Sequence, residues 1–223
     1  MAKHLQRDLD HLKREILEVG GKVEEMLHGA IRAFAHRDAA LARQVVAQDD
    51  WIDRREVEVE EDCLKILALH QPVAADLRFI VTAMKVNNDL ERIGDHACNL
   101  AERAIQVAGS SAVPVPAAFT GLFDKVPAMV RDSLDALVHQ DAERAKNVCL
   151  RDREVDETNR IMFHDLQDLM KKDPASVEAA VSTLSASRQL ERIADLATNI
   201  AEDVVFLVEG EVVRHRLKSP STE

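Results

Sequence analysis

Leu90-Glu91-Arg92-Ile93-Gly94-Asp95-His96-Ala97-Cys98-Asn99-Leu100-Ala101-Glu102 recurs one hundred positions later as Leu190-Glu191-Arg192-Ile193-Ala194-Asp195-Leu196-Ala197-Thr198-Asn199-Ile200-Ala201-Glu202, with nine identities in thirteen places. Shared helical propensity does not produce such a match. Arg92 with Arg192 and Asn99 with Asn199 agree although no apolar seam requires either residue. The chain is therefore a duplication, and the unit that was duplicated decides the fold.

Around each copy the apolar residues advance in steps of four and three, the spacing of one face of a long helix. In the first copy that seam is Phe79, Ala83, Val86, Leu90, Ile93, Ala97, Leu100, Ala104 and Val107. In the second it is Ala179, Thr183, Ala186, Leu190, Ile193, Ala197, Ile200, Val204 and Leu207. Upstream, Leu9, Leu12, Ile16, Val19, Val23, Met26 and Ala30 predict a first helix that runs through Gly20-Gly21. Asp38 is the expected N-cap of a second helix with seam Val45, Ile52, Val59 and Ile66, ended by His70-Gln71-Pro72. Phe119, Leu122, Val126 and Met129 open a fourth helix that must accommodate Pro127. Val148, Val155, Met162 and Leu169 mark a fifth, each 103 positions after its counterpart, and Asp173-Pro174 supplies an N-cap and first-turn proline for the sixth.

The prediction is an all-α protein: six long helices as two tandem, antiparallel three-helix bundles related by a pseudo-twofold. The boundaries read as 1–108 for the first unit, 109–116 for a Gly/Ser/Pro-rich linker, 117–210 for the second unit and 211–223 for a disordered tail. Composition agrees: seven Gly, six Pro, six Phe, one Trp and no Tyr leave little for turns or sheets, and 31% of residues are charged.

A net charge of −11 repels nucleic acid and anionic lipid and favours a cation or a basic partner surface, so direct nucleic-acid binding is not expected. Cys63, Cys98 and Cys149 form no CxxC pair and read as small core residues. Met1-Ala2-Lys3-His4 leads straight into amphipathic sequence without a signal peptide's apolar stretch, and no run is long enough to span a bilayer. A cytoplasmic protein is expected, peripheral to the membrane only through partners.

At about 100° per residue, Glu91, Asp95 and Glu102 share a stripe opposite the apolar seam, and Glu191, Asp195 and Glu202 repeat it. The second helix carries a matching stripe, Asp49, Asp53, Glu56 and Glu60. In the fifth helix its counterparts are Asp152, Asp156, Asn159 and Phe163, so two acids are lost. Stacked carboxylates repel by a few tenths of a kcal/mol per pair. Two facing acidic stripes would offset that by binding a cation through oxygen, with His96 or Asn99 assisting: iron, manganese, zinc, magnesium or calcium. The competing reading is a solvated acidic face balanced by Arg54, Arg55, Arg92 and Arg103. His4, His11, His28, His36, His70, His139 and His164 share no face and read as surface or helix-end residues. Trp51 reads as a packing or interface anchor.

The stretch from Met84 to Glu102, its echo around Glu191 and Asp195, and the Asp-x-x-Ile-Asp of Asp49 to Asp53 resemble the PhoU family of bacterial phosphate-signalling accessory proteins. The resemblance runs from the first helix to about Val208. It implies a cytoplasmic, homodimeric negative regulator of the phosphate-starvation response and of phosphate uptake, not an enzyme. Such a protein links the ATPase subunit of the phosphate ABC transporter to a phosphate sensor histidine kinase. In that family Glu-x-x-x-Asp motifs are associated with surface-bound metal, which the resemblance assigns here to Glu91 with Asp95 and Glu191 with Asp195. Ala194, Leu196, Asn159 and Phe163 depart from the first copy and place the better site in residues 49–102.

Two alternatives stand beside this reading. One is a paralogue regulating another transporter. The other is a carboxylate-bridged metal enzyme, whether di-iron or hydrolase. A ferritin-type site needs paired Glu-x-x-His motifs; the chain offers Glu25 to His28, whose second-copy equivalents Ala128 and Arg131 cannot ligate. No phosphate-binding loop, nucleophile elbow or preformed anion site is evident, so phosphate itself is not expected to be sensed by this chain.

Overall fold

A computed structural model describes residues 2–109 and 116–211, the side chains of Ala2 and Ala117 excepted. The linker and tail readings fall outside the described residues apart from Gly109, Pro116 and Glu211 at their edges. The elements are α1 (Ala2–His36), α2 (Ala39–Val46), α3 (Asp49–His70), α4 (Ala74–Ala108), α5 (Ala117–His139), α6 (Ala142–Lys172), a single 3-10 turn (Pro174–Ser176) and α7 (Val177–Glu209). No strand occurs among the described residues, and no helix is long and apolar enough to cross a membrane.

The seams account for the rods. Every α1 seam residue from Leu9 to Ala30 is buried, as are the seam residues of α7 and, Phe79 excepted, of α4. Asp38 caps α2 by accepting from the amides of Ala40 and Leu41, both at 3.0 Å. Asp173 accepts from Ala175 N at 3.0 Å beside Pro174. Gly210, at φ 76°, closes α7 with its amide on Phe206 O at 2.9 Å, a left-handed stop that suits a residue without Cβ. α5 continues through Pro127.

One expected rod is divided. The helix predicted from Asp38 to His70 tightens at Ala47-Gln48, where Gln48 N reaches Val45 O (3.0 Å) and Trp51 N reaches Gln48 O (3.1 Å). Both residues keep right-handed dihedrals, so the backbone kinks rather than leaves the helix. Its consequence is to put Asp49 and Asp50 in the first turn of α3, where carboxylates meet unpaired amides and the positive end of the helix dipole. α6, the second-copy counterpart, is unbroken over 31 residues. Gly29 belongs to the same corner: a Cβ there would lie 2.8 Å from Val45 Cγ2, so α2 rests directly on the α1 backbone.

α4 and α7 form the centre. Lys85 Nζ meets Asp203 Oδ1 (2.9 Å) and His96 Nδ1 meets Gln189 Oε1 (2.9 Å), so the two run antiparallel with the repeated motifs alongside each other. α1, α2 and α3 cover α4, while α5 and α6 cover α7. α1 also touches α5, through Phe34 edge-on to Phe119 at 5.4 Å and Lys13 Nζ on Val138 O at 3.0 Å. The buried side chains of both units form one continuous core.

Candidate metal centre between α3 and α4

α3 and α4 bring the two first-copy acidic stripes face to face. Asp49 and Asp53 stand one turn apart at the start of α3, and Asp95 approaches from α4. Carboxylate oxygens from all three lie within 4.8 Å of one another. Gly94 faces Ile52 where the helices meet, with the nearest Ile52 carbon 3.5 Å from where a Cβ would stand. That is ordinary contact distance, which explains how Ala194 can occupy the equivalent place in the second copy. Asn87 fixes the register by donating from Nδ2 to the Glu56 carbonyl at 2.8 Å. Cys98 donates from Sγ to Asp49 Oδ1 at 3.2 Å. Sequence reasoning gave neither residue such a role; a lone Asn on a buried helix face was the available signal for Asn87.

Crowding is visible in the acids themselves. Glu91 is pushed up to about 7, first by burial and then by the charges of Asp95, Asp53, Glu56 and Asp49. Asp95 is raised by burial and by Asp49 and Asp53. Asp53 is raised by burial, Asp49 and Asp50, and Glu56 by burial, Glu60 and Asp53.

The four arginines that could have balanced this face turn elsewhere. Arg54 donates to the Asp50 carbonyl at 2.8 Å. Arg55 bonds Glu15 (3.2 Å), Glu18 (3.3 Å) and Glu58. Arg92 meets Asp89 at 3.5 Å, and Arg103 donates to Gln106 at 2.8 Å. The competing reading, an acidic face balanced by these arginines, is not supported by these contacts, none of which reaches Asp49, Asp53 or Asp95. What remains is an open, oxygen-rich cluster with the donor chemistry for a hard cation that keeps some of its water.

Other expected ligands sit differently. Glu102 is exposed on α4 and outside the acidic trio. His96 uses Nδ1 on Gln189 of α7, so its imidazole serves the α4–α7 contact rather than the trio. In the second copy, Glu191 is raised by burial, Asp156 and Asp195 but lowered by Arg188 and Arg192. Asp152 is buried at 2% exposure. Glu202, expected on an outward stripe, is 3% exposed: it lines a cleft of about 490 Å³ between α4 and α7 with Lys85, Asp89, Arg92 and Asn199. The physical reason is that α4 covers the side of α7 that a lone helix would show to water. The two acidic sites are thus unequal.

Comparison with known proteins follows the same outline. The family model described as the PhoU domain matches twice, over residues 16–104 and 119–204. The phosphate-specific transport system accessory protein PhoU homolog of Pseudomonas putida is 38% identical over 218 residues, covering 96% of this chain and 84% of that protein. Its counterpart in Clostridium acetobutylicum is 33% identical over 212 residues, covering 95% and 97%. Among solved structures, PhoU from Pseudomonas aeruginosa superimposes with a TM-score of 0.87 at 37% identity, covering 92% of this chain and 99% of that one. The phosphate transport system regulatory protein PhoU from Streptococcus pneumoniae gives 0.88 at 28% identity, covering 94% and 99%.

Proposed function

The chain belongs to the PhoU family, and on that premise we propose that it is a cytoplasmic, homodimeric negative regulator of phosphate uptake and of the phosphate-starvation response. It acts as a metal-binding helical adaptor between the ATPase subunit of a phosphate ABC transporter and a phosphate sensor histidine kinase, and it performs no turnover of its own. The relatives' names as accessory and regulatory proteins support the role.

One observation carries the metal part of the reading: Asp49, Asp53 and Asp95 converge while the neighbouring arginines bond elsewhere. These three, with Glu91 and Glu56 beside them, would hold a divalent or ferric ion whose charge offsets their mutual repulsion. The ion would supply rigidity between α3 and α4, with no substrate activation required. Leu150, Ile161 and Phe163 of α6, more than 40% exposed each, offer apolar contacts to a partner.

The test is deletion of the gene with measurement of phosphate-regulated alkaline phosphatase, joined to capture assays with the ATPase subunit and the kinase. Derepression in phosphate-rich medium and metal-sensitive capture of both partners are expected. Unchanged repression overturns the phosphate role, and capture of neither partner overturns the adaptor. Ferroxidase or phosphatase turnover abolished by Glu91→Ala would replace the adaptor with an enzyme.

A further inference from the structure

Among the histidines read as scattered, His11 stands in a cluster of possible metal ligands. His11 and Glu15 stand one turn apart on α1, with His11 Nε2 3.7 Å from Glu15 Oε2. Asp62 of α3 brings its Oδ2 to 4.0 Å from the same nitrogen. One ligand atom from each residue lies within 4.8 Å of the others. His11 and Asp62 border a depression of about 200 Å³ whose apolar wall includes Leu12, Ile66 and Leu69.

Each carboxylate is split between two tasks. Glu15 Oε1 accepts from Arg55 Nη2 at 3.2 Å, and Asp62 Oδ1 accepts from Lys65 Nζ at 2.9 Å. Their second oxygens turn toward His11. Glu15 is 7% exposed, and its Oε2 is buried without a hydrogen-bond partner. A protonated His11 does not satisfy it, because 3.7 Å lies beyond the 2.7–3.2 Å of an N–H···O bond. An unpaired buried carboxylate oxygen is costly, and a cation among the three groups removes the cost.

We propose that His11 Nε2, Glu15 Oε2 and Asp62 Oδ2 form a second metal site, for a first-row divalent transition cation of the zinc class, with water completing the coordination. Bonds of about 2.0–2.2 Å set tetrahedral ligand atoms roughly 3.3–3.6 Å apart, so the two His11 distances of 3.7 and 4.0 Å close by roughly 0.1–0.7 Å on binding. The imidazole selects against Mg²⁺ and Ca²⁺, which prefer oxygen alone. Arg55 and Lys65 orient the two carboxylates from outside, as supporting partners do at metal centres. Asp62 lies nine residues beyond Asp53 on α3, about 14 Å along the axis, so the two sites are separate. The bound ion ties α1 to α3. This site does not depend on the reading of the Asp49, Asp53 and Asp95 cluster.

The experiment is equilibrium dialysis of the metal-free full chain against Zn²⁺, with excess Mg²⁺ present to occupy the all-oxygen cluster. The chains compared are the wild type, His11→Ala, Glu15→Gln and the double variant Asp53→Asn/Asp95→Asn. One Zn²⁺ per chain is expected in the wild type and the double variant, with affinity reduced at least about tenfold in His11→Ala and Glu15→Gln. The His11 side chain is 56% exposed, so His11→Ala should fold and its circular dichroism melt shows whether it does; that variant carries the test if Glu15→Gln misfolds. Unchanged Zn²⁺ affinity in a folded His11→Ala, loss of the ion only in the double variant, or no Zn²⁺ bound by the wild type would each overturn the proposal.

Discussion

Lys85 Nζ lies 2.9 Å from Asp203 Oδ1, a charge pair that joins α4 of the first copy to α7 of the second. The pair is lopsided: the Asp203 side chain is 2% exposed and the Lys85 side chain 38%, with the ammonium 5.4 Å from the Phe206 ring centroid. Removing the lysine leaves a carboxylate in the central interface without that cation. Lys85→Met is expected to cost about 1–3 kcal/mol in urea unfolding. Adding Asp203→Leu should restore part of the loss, because part of the cost lies in keeping a buried carboxylate without the lysine's charge. A double variant less stable than Lys85→Met would show that packing outweighs charge here.

Glu91 stands at about 7 against an ordinary 4.5, raised by burial and then by four neighbouring acids. A carboxylate with a raised folded pKa binds protons more tightly in the folded chain. The stability it lends is present below the unfolded value and is lost as pH rises through about 7. Metal-free Glu91→Gln should therefore melt higher than the wild type at pH 8, and the gap should close toward pH 5. Calorimetry across that range checks it, and a gap that widened on acidification would reverse the sign.

Asp53→Asn/Asp95→Asn should abolish the rise in melting temperature expected of the wild type with Mg²⁺, which suits the all-oxygen cluster, whereas Asp156→Asn should retain it. A ligand at 100 times its Kd stabilises by about 2.7 kcal/mol, well within reach of a thermal melt. Equal losses in both variants would mean that the two copies bind alike.

Two glycines should respond with opposite signs. At Gly29 an added methyl would stand 2.8 Å from Val45 Cγ2, so Gly29→Ala is expected to destabilise by about 1–3 kcal/mol through overpacking. At Gly94 the nearest carbon of Ile52 would be 3.5 Å away, so Gly94→Ala should gain up to about 1 kcal/mol of helix propensity. Denaturant midpoints of the two variants decide the matter.

The seams of α1, α4 and α7 were readable because a helix repeats every 3.6 residues whatever surrounds it, and Leu12, Ile93 and Ile200 are buried where that period places them. Asp38 and Asp173 were readable because capping is local. The kink at Ala47-Gln48 was not, since no glycine or proline marks it and the chain bends through tightened hydrogen bonds. Face arithmetic on one helix found the trio's stripes but could not tell which other helix would cover the far side, and so it misplaced Glu202. His11 escaped for a related reason: its carboxylate on α3 lies 51 positions away. The destinations of Arg54, Arg55, Arg92 and Arg103 depend on rotamers that sequence spacing does not encode.

The antiparallel crossing of α4 and α7 also constrains how such a chain can be divided. Lys85 with Asp203 and His96 with Gln189 put the centre of symmetry near Ile93 and Ile193, inside the duplicated motif itself. Each half presents to the other the same stretch of sequence that it receives, which is the geometry of an isologous contact between identical subunits. A fragment ending after α4 would leave that flank bare and would have a second fragment as its natural cover. Severed halves should accordingly be found paired.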